Sequence, residues 1–326
     1  MKKRLVKVAF IVVVWLCLVH DATAQNRPVP KVGVLWGLGA VDAVPYQQTL
    51  AESMRRLGWV EGRNFQFVLR YMEGDQARVP AIIAEFVKLK VDVLYLTDQA
   101  IAAAQAVTRT IPIVCSEFYD PIDEGFTTSF AKPSQNVTGV SWQSIGSAAK
   151  RVDLATDLVP GLKNIAFLYE ATDRGALIEK KGVTSAARTA KVQLNTFPFH
   201  DSRSLQRAFA AMKSSRPDVL IVSVNNLTWT SREEIASFAS SIKLPAISEV
   251  AEFAKAGFLL TYGVNMLDAH AKGASYLNRI LRGAKPSDLP FQQPTTFDFV
   301  VNMKTAKVLG IKIPESIMLR ATEVIR

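Results

Sequence analysis

Short apolar runs rich in β-branched residues recur along the chain, and longer amphipathic segments separate them. Two of these runs, Val91–Leu96 and Val219–Val222, are almost continuously apolar. Strands that are buried on both faces have this pattern, which is typical of a parallel sheet covered by helices. The pattern predicts strands at Lys31–Trp36, Asn64–Tyr71, Val91–Thr97, Ile111–Phe118, Val137–Trp142, Asn164–Tyr169, Val192–Phe199, Pro217–Val224, Pro245–Ser248, Phe258–Tyr262 and Thr296–Asn302.

The segments between these strands carry the start and stop signals of helices. Pro45–Leu57 is followed by Gly58, a residue type that commonly ends a helix. Thr230–Glu234 contains a capping box, and the amphipathic segment Leu267–Leu281 runs to Gly283. Strands and helices that alternate over the whole chain predict an α/β fold with parallel sheets.

The alternation restarts half-way along the chain, after the turn residues Pro160-Gly161. Roughly five strand–helix units precede residue 142 and about five follow it, and a single sheet of that many strands is uncommon. We therefore predict two lobes, each built on its own doubly wound parallel sheet. A chain of 326 residues is long enough to give each lobe its own core.

The first 24 residues have the features of a secretory signal peptide. Four basic residues among the first seven precede the apolar run Val8–Val19, and Ala22-Thr23-Ala24 offers a cleavage site. The run is shorter than the roughly 20 residues of a membrane-spanning helix, so we predict cleavage and export from the cytoplasm. An uncleaved N-terminal anchor is the alternative. Cys17 lacks the small preceding residues of a lipoprotein acylation site.

The composition argues against several classes of function. No apolar run after the signal region is long enough to span a bilayer. The net charge of +10 comes from scattered basic residues rather than from a basic stripe with interleaved aromatics, so we predict no nucleic-acid partner. Cleavage would remove Cys17 and leave Cys115, which predicts a buried apolar role for this thiol and no intramolecular disulfide.

Aromatic, amide and carboxylate side chains follow many of the predicted strands, Trp142 and Trp229 among them. The carboxyl ends of parallel strands meet at one edge of a sheet, where α/β proteins bind their ligands. Flat apolar walls with a few polar groups are typical of a small-molecule cleft, although each aromatic residue could instead cap the core. The candidate ligand-binding residues are Trp36, Gly37, Asp98, Gln99, Tyr119, Asp120, Tyr169, Asn225, Glu249 and Tyr262.

Recognisable catalytic and metal-binding motifs are missing from the sequence. We predict a solvated or capping position for His200 and a surface or packing position for His270. No His-x-x-x-His or Cys-x-x-Cys pair, nucleophile elbow or phosphate-binding loop occurs, so we predict neither a metal nor a cofactor. Acid pairs such as Glu170 and Asp173 could act as acid and base, but a helix-start or ligand-holding role is favoured.

Several short motifs, in order along the chain, match those of one protein family. They are Pro28–Trp36, Leu57–Asn64, Thr110–Val114 with Asp120-Pro121, Asn136–Val140, Arg282–Pro290, Gln292–Thr295 and Asn302–Gly310. These motifs resemble the periplasmic ABC-transporter substrate-binding proteins of the tryptophan/tyrosine type, a branch of the type I periplasmic binding proteins. The resemblance implies two lobes joined by a hinge, a ligand captured between them, and no catalysis.

The resemblance also implies lobes that are discontinuous in sequence. We expect an N-terminal lobe of residues 25–141 plus about 265–285. We expect a C-terminal lobe of residues 142–264 plus about 286–326.

The ligand that the resemblance implies is an amino acid or a related small polar or aromatic solute, delivered to an ABC permease as the membrane partner. Asp120, Asn225, Glu249 and Tyr262 match positions where the family places its cleft, whereas relatives often carry a proline near Asp98. A ligand-sensing module for a receptor or regulatory partner is the alternative function, and an exported α/β enzyme is a remote one. We expect a monomer.

Overall fold

The computed structural model of the protein describes residues 28–133, 135–142 and 144–326. The predicted signal peptide, residues 1–24, lies outside these described residues. Within them the chain forms one sheet of five strands and one of seven, with helices between most successive strands. The α/β class with two parallel-sheet lobes is confirmed.

The first lobe alternates strands and helices. Its elements up to residue 141 are β1 (Lys31–Trp36), α1 (Val44–Arg56), β2 (Gln66–Tyr71), α2 (Val79–Lys88), β3 (Val93–Leu96), α3 (Asp98–Val107), β4 (Ile113–Phe118) and β5 (Val137–Ser141). All five strands are parallel, in the order β2-β1-β3-β4-β5. The chain changes direction across the sheet between β1 and β3, so a crevice opens beyond their carboxyl ends.

The second lobe is larger and its sheet is mixed at one edge. It contains α4 (Ser144–Leu158), β6 (Asn164–Glu170), α5 (Arg174–Thr189), β7 (Gln193–Phe199), α6 (Ser202–Ser215), β8 (Val219–Val222), α7 (Asn226–Thr230), α8 (Arg232–Ser241), β9 (Ala246–Ser248), α9 (Ala251–Ala256) and β10 (Leu260–Val264). After the helix α10 (Met266–Leu281) come β11 (Phe297–Asn302), α11 (Met303–Leu309), α12 (Glu315–Met318) and β12 (Glu323–Ile325).

The order of the second sheet is β12-β11-β10-β9-β8-β6-β7. β11 runs antiparallel to β10, which differs from the all-parallel expectation, because the chain reaches β11 on its return from the first lobe. The short edge strand β12 was not predicted, since three residues carry no readable apolar period.

Helix α10 packs on the first lobe although it follows a strand of the second. It lies against α1 and β4, and its close approach depends on Gly273. A Cβ atom at Gly273 would lie 2.2 Å from the Oγ atom of Ser116 on β4. Because Gly273 has no side chain, the backbone of α10 can approach the first sheet this closely.

Residues 286–292 also lie on the first lobe. The backbone N–H of Ser141 donates to the Gln292 carbonyl at 2.8 Å, and that of Gln292 donates to the Gly139 carbonyl at 2.9 Å. The sequence predicts this segment in the C-terminal lobe, but its pairing with β5 holds it on the first sheet. The chain thus crosses between the lobes after β5, after β10 and after residue 292.

A fully buried charge cluster joins three elements of the second lobe. The guanidinium of Arg151 on α4 contacts the carboxylate of Glu179 on α5, and its Nη1 lies 3.2 Å from Oε2 of Glu249 at the end of β9. The same nitrogen donates to the Tyr262 carbonyl at 3.0 Å. Buried charges are tolerated when they are paired, and here one cation contacts two acidic side chains inside the lobe.

Loss of the Arg151 guanidinium should therefore unfold the second lobe readily. Arg151→Met leaves Glu179 and Glu249 buried without a cation, and we expect a loss of about 3–5 kcal/mol in the free energy of unfolding. Urea denaturation measures it. The matched control is Arg320→Met, which breaks the partly exposed pair with Asp157 and should cost less than about 1 kcal/mol. Equal losses for the two variants would contradict this account of the cluster.

Candidate functional site

The carboxyl ends of the two sheets face each other, and a cavity of about 60 Å³ lies between them. One water molecule needs roughly 10–15 Å³ by the same kind of measure, so this inner cavity can hold a small organic group. Its lining comes from both lobes: Trp36, Gly37, Leu38, Thr97, Asp98, Gln99, Glu117, Tyr119, Trp142 and Met266 from the first, and Val224, Asn225, Asn226 and Trp229 from the second.

Aromatic rings form the walls of the inner cavity. Trp36 is the last residue of β1, Tyr119 follows β4, Trp142 follows β5, and Trp229 lies on α7 of the opposite lobe. The rings of Tyr119 and Trp142 pack edge to face with centroids 5.5 Å apart, and Trp142 Nε1 donates to the Ser116 carbonyl at 3.1 Å. These contacts fix the ring planes, so the walls are preformed for a flat apolar group.

Three buried N–H groups on the lining have no hydrogen-bond partner among the described residues. They are Nε1 of Trp36, Nδ2 of Asn225 and Nε1 of Trp229. The Oδ1 atom of Asn225 accepts from the backbone N–H of Thr228 at 2.9 Å, which orients the amide. Buried donors without acceptors are costly, and all three belong to side chains on the lining of the cavity.

Two carboxylates, those of Asp98 and Glu117, line the same cavity. Burial raises the pKa of Asp98 well above its ordinary value, and the nearby carboxylates of Glu124, Asp173 and Glu117 raise it further. A cation beside Asp98 would oppose both effects, because it favours the ionised carboxylate. The inner cavity therefore offers carboxylate acceptors for a positive charge.

The lobes are in direct contact around the cavity. Tyr119 of the first lobe donates its hydroxyl proton to the Val224 carbonyl of the second at 2.6 Å. Gln99 of the first lobe donates to Oδ2 of Asp173 at 2.8 Å and accepts from Nδ2 of Asn226 at 3.0 Å. These bonds describe a cleft that is closed over its cavity.

An outer compartment of about 530 Å³ adjoins the inner cavity and shares Asp98 and Gln99 with it. Its walls carry the carboxylates of Glu124, Glu170 and Asp173. Burial raises the pKa of Glu124 to about 8 and that of Asp173 to about 6. Closure therefore brings carboxylates into an environment that favours their neutral forms or a neighbouring cation.

Residues 41–325 match the family described as "ABC transporter substrate binding protein". The chain belongs to this family. The resemblance noted in the sequence is thus confirmed.

The substrate-binding protein is similar to a curated protein and to solved structures. It is 24% identical over 256 residues to the "Tyrosine-binding protein" of Clostridioides difficile strain R20291, covering 78% of this chain and 73% of that protein. A conserved domain protein from Vibrio cholerae O1 biovar El Tor superposes with a TM-score of 0.85 at 26% identity, covering 91% of this chain and all of that one.

A Streptococcus pneumoniae structure titled as an ABC domain in complex with L-Trp also superposes with a TM-score of 0.85, at 24% identity, over 91% of this chain and all of that one. These superpositions confirm the type I periplasmic-binding-protein fold.

Most of the candidate residues from the sequence do line the inner cavity of the binding protein. Its lining includes Trp36, Gly37, Asp98, Gln99, Tyr119 and Asn225. All follow strands at the facing carboxyl ends of the two sheets, as the parallel topology predicted. Their role in binding stays a prediction.

The other four candidates lie outside the inner cavity. Asp120 accepts from the backbone N–H groups of Ile122 and Asp123 in its own turn, at 2.9 and 3.0 Å. Glu249 pairs with Arg151 instead of facing the cleft. The two tyrosines pack on aromatic neighbours within the second lobe, Tyr169 on Phe167 and Tyr262 on Phe297.

Sequence reasoning left several lining residues out of the candidate set. Trp142, Asn226 and Trp229 carry the same signal as the chosen residues, since each lies shortly after a strand. Glu117 lies inside β4, where alternation alone does not reveal that its side chain faces the cavity. His270, predicted as a surface or packing residue, is buried with 1% exposure and bonded to Tyr95.

No helix among the described residues is long and apolar enough to cross a membrane. Within the same part of the chain, no cluster of three or more His, Cys, Asp or Glu side chains is arranged to hold a metal ion.

Closure of the cleft depends on a glycine, and adding a methyl group there should prevent it. A Cβ atom at Gly175 of α5 would lie 2.1 Å from the Tyr119 ring. We expect Gly175→Ala to lower ligand affinity about tenfold or more, since such overpacking costs ~1–3 kcal/mol. The lobe itself should keep its melting temperature, because the clash arises only between lobes. Isothermal titration calorimetry and thermal unfolding measure the two effects.

The control for this variant is Gly146→Ala on α4, where an added Cβ meets nothing within 4 Å. It should bind like the parent protein. Unchanged affinity in Gly175→Ala would show that the contact between Tyr119 and Gly175 is not part of the bound state.

Stability should fall as the pH rises from about 5 to about 8, by at most ~1.4 kcal/mol per pH unit for each group involved. Burial raises the pKa of Glu249 to about 8, Glu179 adds to the rise and Arg151 opposes it. The unfolded chain releases this proton near pH 4.5, whereas the folded chain holds it until about pH 8. Urea denaturation across this range should show a shallower slope for Glu249→Gln, and the parent slope for the exposed Glu233→Gln. Identical slopes would contradict the assignment.

Proposed function

We propose that this protein is an exported solute-binding protein that captures a small molecule between its lobes and delivers it to an ABC importer. The observation that carries the proposal is the inner cavity, where both lobes supply aromatic walls and unpartnered N–H donors and the first lobe supplies two carboxylates. A cavity of this kind suits reversible binding of a small polar and apolar solute. Family membership supports the link to an importer.

The class of ligand that fits best is an amino acid. Asp98 and Glu117 would face its ammonium group, and the N–H groups of Trp36, Asn225 and Trp229 would donate to its carboxylate. The aromatic walls would pack against an apolar or aromatic side chain. The relatives named for tyrosine binding and for a complex with L-Trp support an aromatic side chain.

Export, a permease partner and the absence of catalysis complete the proposal. The signal sequence at residues 1–24 supports a periplasmic location. The lobes would move about the crossings near residues 141, 265 and 292, and a permease would recognise the closed form. A bound ligand recovered chemically unchanged after long incubation would support binding without turnover.

A thermal-shift screen of residues 25–326 against amino acids, nucleobases, small carboxylates and polyamines tests the proposed function. A ligand at 100 times its dissociation constant adds about 2.7 kcal/mol to the free energy of unfolding, which raises the melting temperature measurably. We expect amino acids, aromatic ones first, to give the largest rise. A rise confined to nucleobases or polyamines would contradict the proposed ligand class.

Asp98→Asn should weaken binding of the best amino acid about tenfold or more, because a charge-assisted hydrogen bond to the ammonium group is lost. Calorimetry measures the dissociation constant. The control is Asp120→Asn. The Asp120 carboxylate follows the neighbouring strand β4 and accepts hydrogen bonds from the backbone of its own turn. This substitution should leave the affinity within about twofold of that of the parent protein. Equal effects of the two substitutions would remove Asp98 from the binding site.

A further inference from the structure

A row of buried polar side chains lies behind the wall of the inner cavity. Tyr95 on β3 is central to it: its hydroxyl lies 2.7 Å from Ser116 Oγ on β4 and 2.6 Å from His270 Nδ1 on α10. The other ring nitrogen of His270, Nε2, lies 3.2 Å from Oε1 of Glu117. Since Glu117 lines the cavity, the row connects the interior of the first lobe to the ligand site.

The imidazole ring of His270 is held in place from both sides. Its centroid is 5.1 Å from that of Trp36 and 5.2 Å from that of Tyr46, and the residue is 1% exposed. The close contact of Gly273 with Ser116 and Tyr95 fixes the helix that carries the ring. A ring so confined cannot turn toward solvent, so its Nε2 has one charged neighbour, the Glu117 carboxylate, within ion-pair distance among the described residues.

The hydrogen bond between the Tyr95 hydroxyl and Nδ1 is compatible with either tautomer of the ring. When the hydroxyl donates to Nδ1, the proton of a neutral imidazole lies on Nε2, and this is the tautomer that gives Glu117 a donor. Nε2 has no well-aligned hydrogen bond in the closed cleft, although the Glu117 oxygen is within 3.2 Å. A modest rotation of the carboxylate completes this bond and leaves its second oxygen free to face the cavity.

We propose that His270 is a positioning residue that holds the Glu117 carboxylate, through Nε2–H, as the acceptor for a positively charged group of the ligand. The ligand part of this statement rests on the proposed function. Tyr95 and Ser116 orient the ring, as an outer partner orients a ligating group at other polar sites. The carboxylate of Glu117 held in this way keeps one oxygen for the ligand.

Two substitutions of His270 separate positioning from packing. Asparagine places an amide near Nδ1 and keeps the contact with Tyr95, whereas glutamine places an amide nitrogen near Nε2 and keeps the donor to Glu117. Both remove the ring, so both should lower the melting temperature by similar amounts. A packing role would therefore affect binding equally in the two variants.

The binding probes are L-tryptophan and L-tyrosine, each compared with its analogue lacking the ammonium group, indole-3-propionate or 3-(4-hydroxyphenyl)propionate. We expect the parent protein and His270→Gln to prefer the amino acid over its analogue about tenfold or more, the value of a charge-assisted hydrogen bond. His270→Asn and Glu117→Gln should lose most of that preference. Equal preference in His270→Asn and His270→Gln would overturn the proposal.

A spectroscopic measurement tests the pairing without a ligand. In protein with ¹⁵N-labelled histidine, long-range ¹H–¹⁵N correlation spectra should show His270 with its proton on Nε2, and Glu117→Gln should shift the Nε2 resonance. A proton on Nδ1, or an Nε2 chemical shift that is unchanged in Glu117→Gln, would overturn the proposal. If the parent protein binds neither amino acid, the proposed ligand class fails, and these spectra still decide whether His270 holds Glu117.

Discussion

The contact of Tyr119 with the second lobe is the interaction on which the closed cleft depends. Its hydroxyl bonds to the Val224 carbonyl, its ring lies against the bare backbone of Gly175, and its other side packs on Trp142 in the cavity wall. The Tyr119 side chain thus connects the two lobes and also forms part of the cavity wall. Because a cavity wall and a lobe contact share the same ring, occupation of the cavity and closure of the cleft are linked physically.

The chemistry of the closed cleft explains why a ligand would favour it. Closing without a ligand leaves buried N–H groups such as Nε1 of Trp36 without acceptors, and it places Asp98 among other carboxylates, which raises the pKa of Asp98. Each of these features costs free energy, because the groups lose the hydrogen bonds that water would give them in an open cleft. Under the proposed function, a zwitterion would supply an acceptor to the donors and a cation to the carboxylates, so its differential affinity for the closed form would drive closure. The buried row from Ser116 to Glu117 would then set where the cation is held.

Much of the fold could be predicted from local patterns, because a strand buried on both faces must be apolar throughout. Val219–Val222 is such a strand, and the parallel topology placed the residue pairs after β1, β3 and β8 at one cleft. The misassigned residues depend on partners distant in sequence. Glu249 follows a strand as a ligand-binding residue would, but its side chain contacts Arg151 on α4 inside the lobe. His270 lies on an amphipathic helix, and only the packing of α10 against β3 and β4 shows that it faces Tyr95 and Glu117.

The central claim is that a small molecule is captured between two lobes that close on it. Small-angle X-ray scattering of residues 25–326, alone and with a saturating amount of the amino acid that raises the melting temperature most, tests this claim directly. The account predicts a smaller radius of gyration in the bound protein, with a scattering curve that fits the closed structure. An amino acid that binds by calorimetry and leaves the scattering curve unchanged would contradict it.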